Sequence, residues 1–266
     1  MLEVRQLSKV FFEQNDPRKP GLVALYNVSL CIRKNEFVSL LGPSGCGKTT
    51  LIRVVAGLLP ADRGEVIVND RPVTAPGPER CMVFQQFGLL PWRTVLSNVE
   101  FGLEIEGKPK EERRIVAEKY LDLVGLKGFE KYYPRQLSGG MRQRVNLARA
   151  LAVHPEVLLM DEPFAALDAQ TREIMQTELL RIWTQARSTV LFITHQIDEA
   201  VYLSDRVLVF GRRPGIVQEE ITIDLERPRP TSVKRTPKFT EYVGHIWGLI
   251  EVAVRESVME ETLLAQ

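Results

Sequence analysis

The chain has 266 residues, with 35 Lys plus Arg against 34 Asp plus Glu and a formal net charge of +1. Apolar residues at 44% and charged residues at 26% describe an ordinary soluble globular chain, while 18 Gly and 16 Pro without a period exclude collagen-like and low-complexity architectures. Three scattered cysteines, Cys31, Cys46 and Cys81, argue against a disulfide framework or a cysteine zinc site and fit a reducing compartment. The near-zero net charge gives no argument for nucleic acid. No apolar run reaches the roughly 18 residues of a membrane span. The start MLEVRQLSKVFF lacks a basic region followed by an apolar one. A soluble cytosolic protein is expected, and any work at a membrane needs another component as anchor.

Short strand-like runs open the chain at 2–4 and 24–32, and NDPRKP at 15–20 reads as a turn between strands. The apolar run 37–41 predicts a strand ending at Gly42, then a helix over 48–59 closed by Gly57 and Pro60. Two further strands are expected at 64–69 and 81–84. From 97 to 153 the periodicity is helical, with almost no strand pattern. Val116, Ala117, Tyr120, Leu121 and Val124 make a one-sided stripe over 111–124, with Gly125 as its C′ residue. Val145, Ala148, Leu151 and Ala152 make a second stripe.

Strands return with Val157, Leu158, Leu159 and Met160. A helix over 169–186 follows, capped by Asp168, with Met175, Leu179, Ile182 and Trp183 on its core face. The runs 189–194 and 206–210 are again buried strands. Uninterrupted apolar strands alternating with helices predict a parallel sheet covered on both faces. The expected organisation is an α/β core (1–86 and 151–225) interrupted by a helical insert (87–150). A tail over 226–266 follows, broken by Pro228, Pro230 and Pro237 before a last helix near 241–257. No internal repeat is found.

Residues 42–49 are Gly42, Pro43, Ser44, Gly45, Cys46, Gly47, Lys48 and Thr49, with Thr50 next. This is G-x-x-x-x-G-K-[ST] between a predicted strand and a predicted helix, the context the motif requires. The glycines permit backbone conformations that aim successive N–H groups at an anion, and the helix N-terminus adds partial positive charge. Lys48 then reaches the β- and γ-phosphates of ATP and the Thr49 hydroxyl binds Mg2+. A glycine-rich turn with a chance lysine is the bland alternative, and spacing and context together argue against it. An acidic partner is expected at the end of a buried strand. Asp161, first after 157–160, is placed to hold Mg2+ through water, and Glu162 to polarise an attacking water. The alternative for Asp161 is a turn cap at Pro163.

Leu137, Ser138, Gly139, Gly140, Met141, Arg142, Gln143 and Arg144 open the next helix. Ser138 before two glycines is either a plain N-cap or a second anion site at a positive helix end. One chain binding one ATP does not need two such sites, so the economical explanation is that this helix completes the site of another copy. LSGGMRQR between a P-loop and an LLMDEP strand resembles the signature of the ABC (ATP-binding cassette) ATPases, over about residues 2–225.

The resemblance implies an α/β P-loop NTPase (RecA-like) core with a mostly parallel sheet, an antiparallel β portion at the N-terminus and an inserted α-helical signature subdomain. It implies two cassettes paired head to tail, each ATP lying between one P-loop and the opposing Ser138, Gly139 and Gly140. Gln85 matches the glutamine that reaches the metal and the attacking water, with Gln86 leaving a one-residue ambiguity. Ala166, Leu167 and Asp168 resemble the D-loop that crosses the dimer, and His195 the switch histidine on the γ-phosphate. Phe11 resembles the adenine-stacking aromatic; Phe12 is the alternative, and a core role is open for either. The catalytic set is thus Lys48, Gln85, Glu162 and His195, and the metal set Thr49, Gln85 and Asp161. Met141 stands where many signatures carry Gln, with little expected effect on ATP binding. Cys46 occupies a variable loop position and is expected to make the site sensitive to thiol reagents.

Three function classes compete. A kinase or GTPase has no reason for LSGG, and no guanine-reading motif is found. A soluble ABC ATPase acting on DNA or ribosomes, the alternative retained, usually carries a long coiled-coil insertion or two cassettes, and only a short stretch separates Gln85 from Leu137 here. The third class is the ATPase subunit of an importer. Phe87, Gly88, Leu89, Leu90, Pro91 and Trp92 form an apolar run directly after Gln85. In importers a short helix of the membrane subunit docks at this place, which would make Phe87 and Trp92 hot-spot residues; a core role is the alternative.

The stretches VFQQFGLLPWRTVLSNVEFGLE, DEPFAALDAQTRE and THQIDEAVYLSDRVLVF, with RPGIV and IDLERPR, resemble the nitrate/sulfonate/taurine importer group. The resemblance implies ATP and Mg2+ as ligands and a homodimer as the working state. It implies transmembrane permease subunits as partners, a solute-binding protein indirectly, and no nucleic acid. It places the chain peripherally at the cytoplasmic face of the inner membrane. Nitrate, a sulfonate, taurine and a thiamine-precursor pyrimidine are all compatible cargoes. The basic stretch Arg227, Arg229, Lys234, Arg235 and Lys238 reads as a solvated linker, with contact to lipid headgroups or a partner as the alternative.

Overall fold

A computed structural model describes residues 1–12, 21–85 and 88–264. The expected turn at 15–20, Gln86 and Phe87 lie outside the described residues. The chain divides into two compact units, residues 1–76 with 189–266, and residues 77–188.

The first unit opens with an antiparallel sheet. Strands β1 (Leu2–Phe11), β2 (Leu22–Ile32), β4 (Arg63–Val68) and β5 (Arg71–Pro72) lie in the order β2-β1-β4-β5. β1 continues well past the expected 2–4, and a bulge explains why the pattern breaks. Gln6 has φ 47, and the pairing with β2 shifts register between Val4 and Leu7. Leu2 and Val4 point inward before the shift and Leu7 after it, so the period of two slips by one residue. Gly64, at φ +77, lets β4 approach this bulge; a Cβ there would lie 2.3 Å from the Arg5 carbonyl oxygen.

The unit's second sheet contains β3 (Phe37–Leu41), β8 (Thr189–Ile193), β9 (Arg206–Phe210) and β10 (Val217–Thr222). β3 pairs in parallel with both β8 and β9, and β10 is antiparallel to β9. Every residue of β3, β8 and β9 is buried, the pattern of strands covered on both faces. Helix α1 (Lys48–Val55) ends before the expected 59. Gly57 N–H donates to Val54 O (2.9 Å) and Leu58 N–H to Arg53 O (2.9 Å), a Schellman closure around Gly57 at φ +76.

Helices α7 (Ile197–Leu203) and α8 (Pro237–Leu264) complete the unit. α8 starts four residues before the expected 241, because Pro237 fits the first helical turn, where its missing N–H is no loss. The tail before it is not a solvated linker. Arg229 is 4% exposed, and both Arg227 and Arg229 donate to backbone carbonyls of this unit, so neither guanidinium is available to lipid. Lys238, nearer the surface, bonds Asp224 (2.6 Å).

The second unit holds the parallel pair β6 (Arg80–Val83) and β7 (Val157–Asp161) and the helices α2 (Val95–Val99), α3 (Phe101–Ile105), α4 (Lys110–Leu123), α5 (Gly139–Ala152) and α6 (Ala169–Ala186). α4 presents Ala117, Tyr120 and Leu121 to the interior, with Val124 at its end. It terminates as its Gly125 predicts: Gly125 N–H donates to Asp122 O and Leu126 N–H to Leu121 O. α5 packs its stripe of Val145, Ala148, Leu151 and Ala152 against this group, and α6 buries Met175, Leu179, Ile182 and Trp183. Asp168 caps α6 by accepting from Thr171 N–H (3.0 Å).

Leu121 is wholly buried where α4 meets α5. Leu121→Ala is expected to lower stability by about 2–5 kcal/mol, read from the urea midpoint of purified protein.

Candidate functional site

The P-loop is shaped by what lies behind it. Gly47 has φ 104, and a Cβ there would lie 2.5 Å from the Ala24 carbonyl oxygen and 2.9 Å from Leu25 Cδ2. Both the conformation and the contact exclude a side chain. Gly45, at φ +76, faces open space, so only its conformation demands glycine. At Gly42 a Cβ would meet Cys46 Sγ and Phe210 Cβ at 2.9 Å.

A residue that sequence reasoning did not single out belongs to this support. Gly215 donates its N–H to Ala24 O (2.9 Å) and accepts from Tyr26 N–H (3.1 Å). A Cβ on Gly215 would lie 2.5 Å from the Cys46 carbonyl oxygen. The loop therefore rests on β2 and on the 211–215 turn together. The glycine of RPGIV was a visible signal, but sequence gives no means of knowing which loop it backs.

α1 begins at Lys48, so the N–H groups of its first turn have no intrahelical acceptor and the positive end of its dipole faces the loop. Lys48 is buried, and Nζ donates to Gly42 O (2.8 Å), Pro43 O (2.7 Å) and Cys46 Sγ (3.8 Å). All of these partners are neutral. A buried ammonium whose acceptors among the described residues are neutral favours an incoming anion, and a polyphosphate meets that requirement. Thr49 is exposed beside it.

Cys46 corrects an expectation. Its side chain is 1% exposed, and burial pushes the thiol pKa up, against the attraction of Lys48. The thiol stays protonated and covered, so reagents do not reach it readily.

His195 follows β8 and is exposed. Phe11 and Phe12 end and follow β1 and are each about 40% exposed, so a core role fits neither. Phe12 lies against Gly21, and Lys9 Nζ stands 5.7 Å from the Phe11 ring centroid.

In the second unit Asp161 is the last residue of β7 rather than the first after it, and it is buried. Glu162 adopts φ 46, a left-handed conformation that is uncommon outside glycine and concentrates at functional positions. Gln85 is exposed just past β6. Among the described residues no group of three or more His, Cys, Asp or Glu forms a metal cluster. Hydroxyl and carboxylate oxygens such as Thr49 and Asp161 suit Mg2+, which takes few protein ligands and shares substrate phosphates.

Ser138 is the N-cap of α5, accepting from Met141 N–H (3.3 Å), and is exposed. Gly140 also has a packing reason, since a Cβ would sit 2.9 Å from Thr171 Cγ2. Asp168 is exposed, and the Thr171 N–H holds its carboxylate below the usual range. Trp92 is 72% exposed. The segment presenting it is tied down by Asn98, which sequence reasoning passed over. Asn98 is wholly buried, accepts from Leu90 N–H (2.8 Å), and donates to the carbonyls of Leu90, Arg93 and Thr94 at 3.0–3.1 Å.

A family model described as "ABC transporter" matches residues 25–165, which span the P-loop, the α5 N-terminus and Asp161–Glu162. The chain belongs to the ABC transporter family. It is an ABC-type ATPase cassette, related to nitrate and taurine import proteins. It is 54% identical over 97% of its length to an uncharacterised ABC transporter ATP-binding protein of Methanocaldococcus jannaschii, covering 94% of that protein. It is 48% identical to a nitrate import ATP-binding protein of Synechocystis sp., over 94% of each chain. It is 49% identical to a taurine import ATP-binding protein of Yersinia pseudotuberculosis, over 88% of this chain and 95% of that one. Among solved structures it is similar to an ATP-binding cassette, dimeric in a post-hydrolysis state with ADP and Pi. That match has a TM-score of 0.72 and 33% identity over 85% of this chain and all of that one. The cassette's α/β fold, with its parallel strands and antiparallel sheet, agrees with the fold class expected from sequence.

Two outcomes test the loop. Gly215→Ala is expected to weaken binding of a fluorescent ATP analogue at least as much as Gly45→Ala, although Gly215 is no part of the motif. Cys31, which is exposed, is expected to react with a maleimide well before Cys46, as read by mass spectrometry of digests.

Proposed function

We propose that this cassette is the ATP-hydrolysing subunit of an importer for a small anion or organic solute of the nitrate, sulfonate or taurine kind. It would act as a head-to-tail homodimer on transmembrane permease subunits, served by a solute-binding protein, peripherally at the cytoplasmic face of the membrane. Its similarity to nitrate and taurine import proteins over most of the chain supports this. The observation that carries it is Trp92, exposed and aromatic in a segment that Asn98 holds rigid. A large apolar side chain presented this way is suited to be an interface anchor. The insert 87–150 is then the signature subdomain, and the tail 226–266 an addition to the core.

The roles follow from the chemistry of each residue. Backbone N–H groups of Gly42, Pro43-flanked Ser44, Gly45, Cys46 and Gly47, with Thr50 beyond them, cradle the phosphates, while Lys48 transfers its ammonium from loop carbonyls to the β- and γ-phosphates. Thr49 and Asp161, with Gln85, would hold Mg2+, which supplies charge neutralisation on the phosphate oxygens. Glu162 orients and polarises the attacking water, His195 hydrogen-bonds the γ-phosphate, and Phe11 stacks on adenine. Ser138, Gly139 and Gly140 of a second copy close the site from the far side, with Asp168 at the crossing. The dimeric, ADP- and Pi-bound state of the similar cassette supports this pairing.

Glu162→Gln is expected to bind Mg-ATP yet lose most of its hydrolysis, about 100-fold or more in kcat; wild-type turnover refutes its role. Mixing Lys48→Ala with Ser138→Arg protomers restores some activity if sites are shared between copies, and restores none if they are not. Trp92→Ala is expected to abolish co-purification with the permease while leaving the soluble ATPase intact. ATP-dependent binding to DNA or ribosomes with no permease association would favour the non-transport reading.

A further inference from the structure

We propose that Arg229 is a positioning residue for His195, acting through α7; the inference rests on the reading of His195 as a nucleotide contact. A helix leaves its last carbonyls without intrahelical donors, and its C-terminus carries partial negative charge. Arg229 meets both needs at the end of α7. Nη1 donates to Val201 O (3.2 Å), Tyr202 O (2.9 Å) and Ser204 O (2.7 Å). Nη2 donates to Ile223 O (3.3 Å) and Leu225 O (3.2 Å), and Nε also to Leu225 O (3.2 Å). One planar guanidinium thus ties the last turn of α7 to the strand-to-tail connection. A lysine, with a single point of donation, does not reproduce this fork.

The surroundings reinforce the clamp. The wholly buried Tyr202 returns a hydrogen bond from its hydroxyl to Arg229 O (3.0 Å), and Lys234 Nζ lies 4.7 Å from the Tyr202 ring centroid. Arg227 donates to Leu203 O (2.6 Å) and to Asp205 Oδ1 (2.9 Å). Burial lowers the Arg229 pKa to about 10, so the side chain remains cationic at neutral pH.

The other end of α7 carries His195. Thr194 donates its N–H to Leu40 O of β3 (3.3 Å), and its hydroxyl donates to the buried Glu199 carboxylate inside α7. The same hydroxyl accepts from Gln196 N–H (3.0 Å). His195 therefore stands between two residues whose backbones are locked to α7 and to the strand that leads into the P-loop, while itself remaining exposed. A helix of seven residues has little rigidity of its own in water. Its orientation depends on how its two ends are held, and Arg229 supplies the hold at the end far from the nucleotide. This gives the tail a part in hydrolysis without contact with ATP.

The test compares Arg229→Gln with the parent protein and with Arg229→Lys, using the full chain. Mg-ATP affinity is expected to stay within about twofold, because the P-loop is untouched, while kcat falls about 10- to 100-fold from misplacement of His195. Arg229→Lys is expected to be intermediate. The decisive measurement is the imidazole NMR signal of His195 on adding Mg-ATP in a Glu162→Gln background, with His154 as internal control. The ATP-induced shift of His195 is expected to be lost in Arg229→Gln; its persistence overturns the proposal, whatever happens to kcat. If Arg229→Gln does not fold, Tyr202→Phe, which removes only the hydroxyl under Arg229, is read in the same way. Absence of any His195 response in the parent background refutes the nucleotide contact itself, and this inference with it.

Discussion

The carbonyl of Ala24 is the point against which the nucleotide loop is built. Gly47 turns left-handed directly over it, and Gly215 donates its N–H to it. With the loop pressed onto β2 in this way, the first turn of α1 has a fixed direction and Lys48 is buried against Gly42 and Pro43 carbonyls. A side chain at either glycine would push the loop off its support. The antiparallel sheet therefore supports the P-loop directly, through Ala24 of β2.

A second regularity is where the candidate site residues lie. Gly42 follows β3, His195 follows β8, Gln85 follows β6 and Asp161 ends β7. β3 and β8 are parallel to each other, as are β6 and β7. In open α/β folds the carboxyl ends of parallel strands are where ligands bind, because short, buried strands deliver their trailing loops to one edge with little freedom. β3, β7, β8 and β9 are buried along their whole length and mostly apolar, so the candidate site residues gather where the runs end. Glu162 goes further: its left-handed backbone is a local cost that the surrounding turn must sustain.

The tail shows how an apparently polar segment can be structural. Read as composition, Arg227 to Lys238 looks like a hydrated linker. In the fold its two leading arginines meet orphan carbonyls at a helix end. Guanidinium groups are suited to this, since they remain charged when buried and present several donors in one plane. The same logic, applied to Asn98, fixes the segment that presents Trp92: one side-chain amide bonds four backbone groups of residues 90–94.

Much of this protein was legible from sequence because the signals were local. β3, the cap at Asp168, the closure at Gly125, the apolar stripes of α4, α5 and α6, and the P-loop with its acidic partner strand each depend on neighbours within a few residues. The ABC resemblance rests on short motifs in order, and the family model covers those from the P-loop to Asp161–Glu162. What depended on distant partners was not legible. The bulge at Gln6 displaced the alternation of β1, Gly215 serves a loop far away in the chain, and Cys46 reads as reactive until the protein closes over it. Arg229 reads as surface charge because its acceptors lie on α7 and past β10. Sequence by itself determined the family and the candidate site residues; tertiary structure alone decided which backbone atoms hold those residues in place, since these contacts join positions that no spacing rule connects.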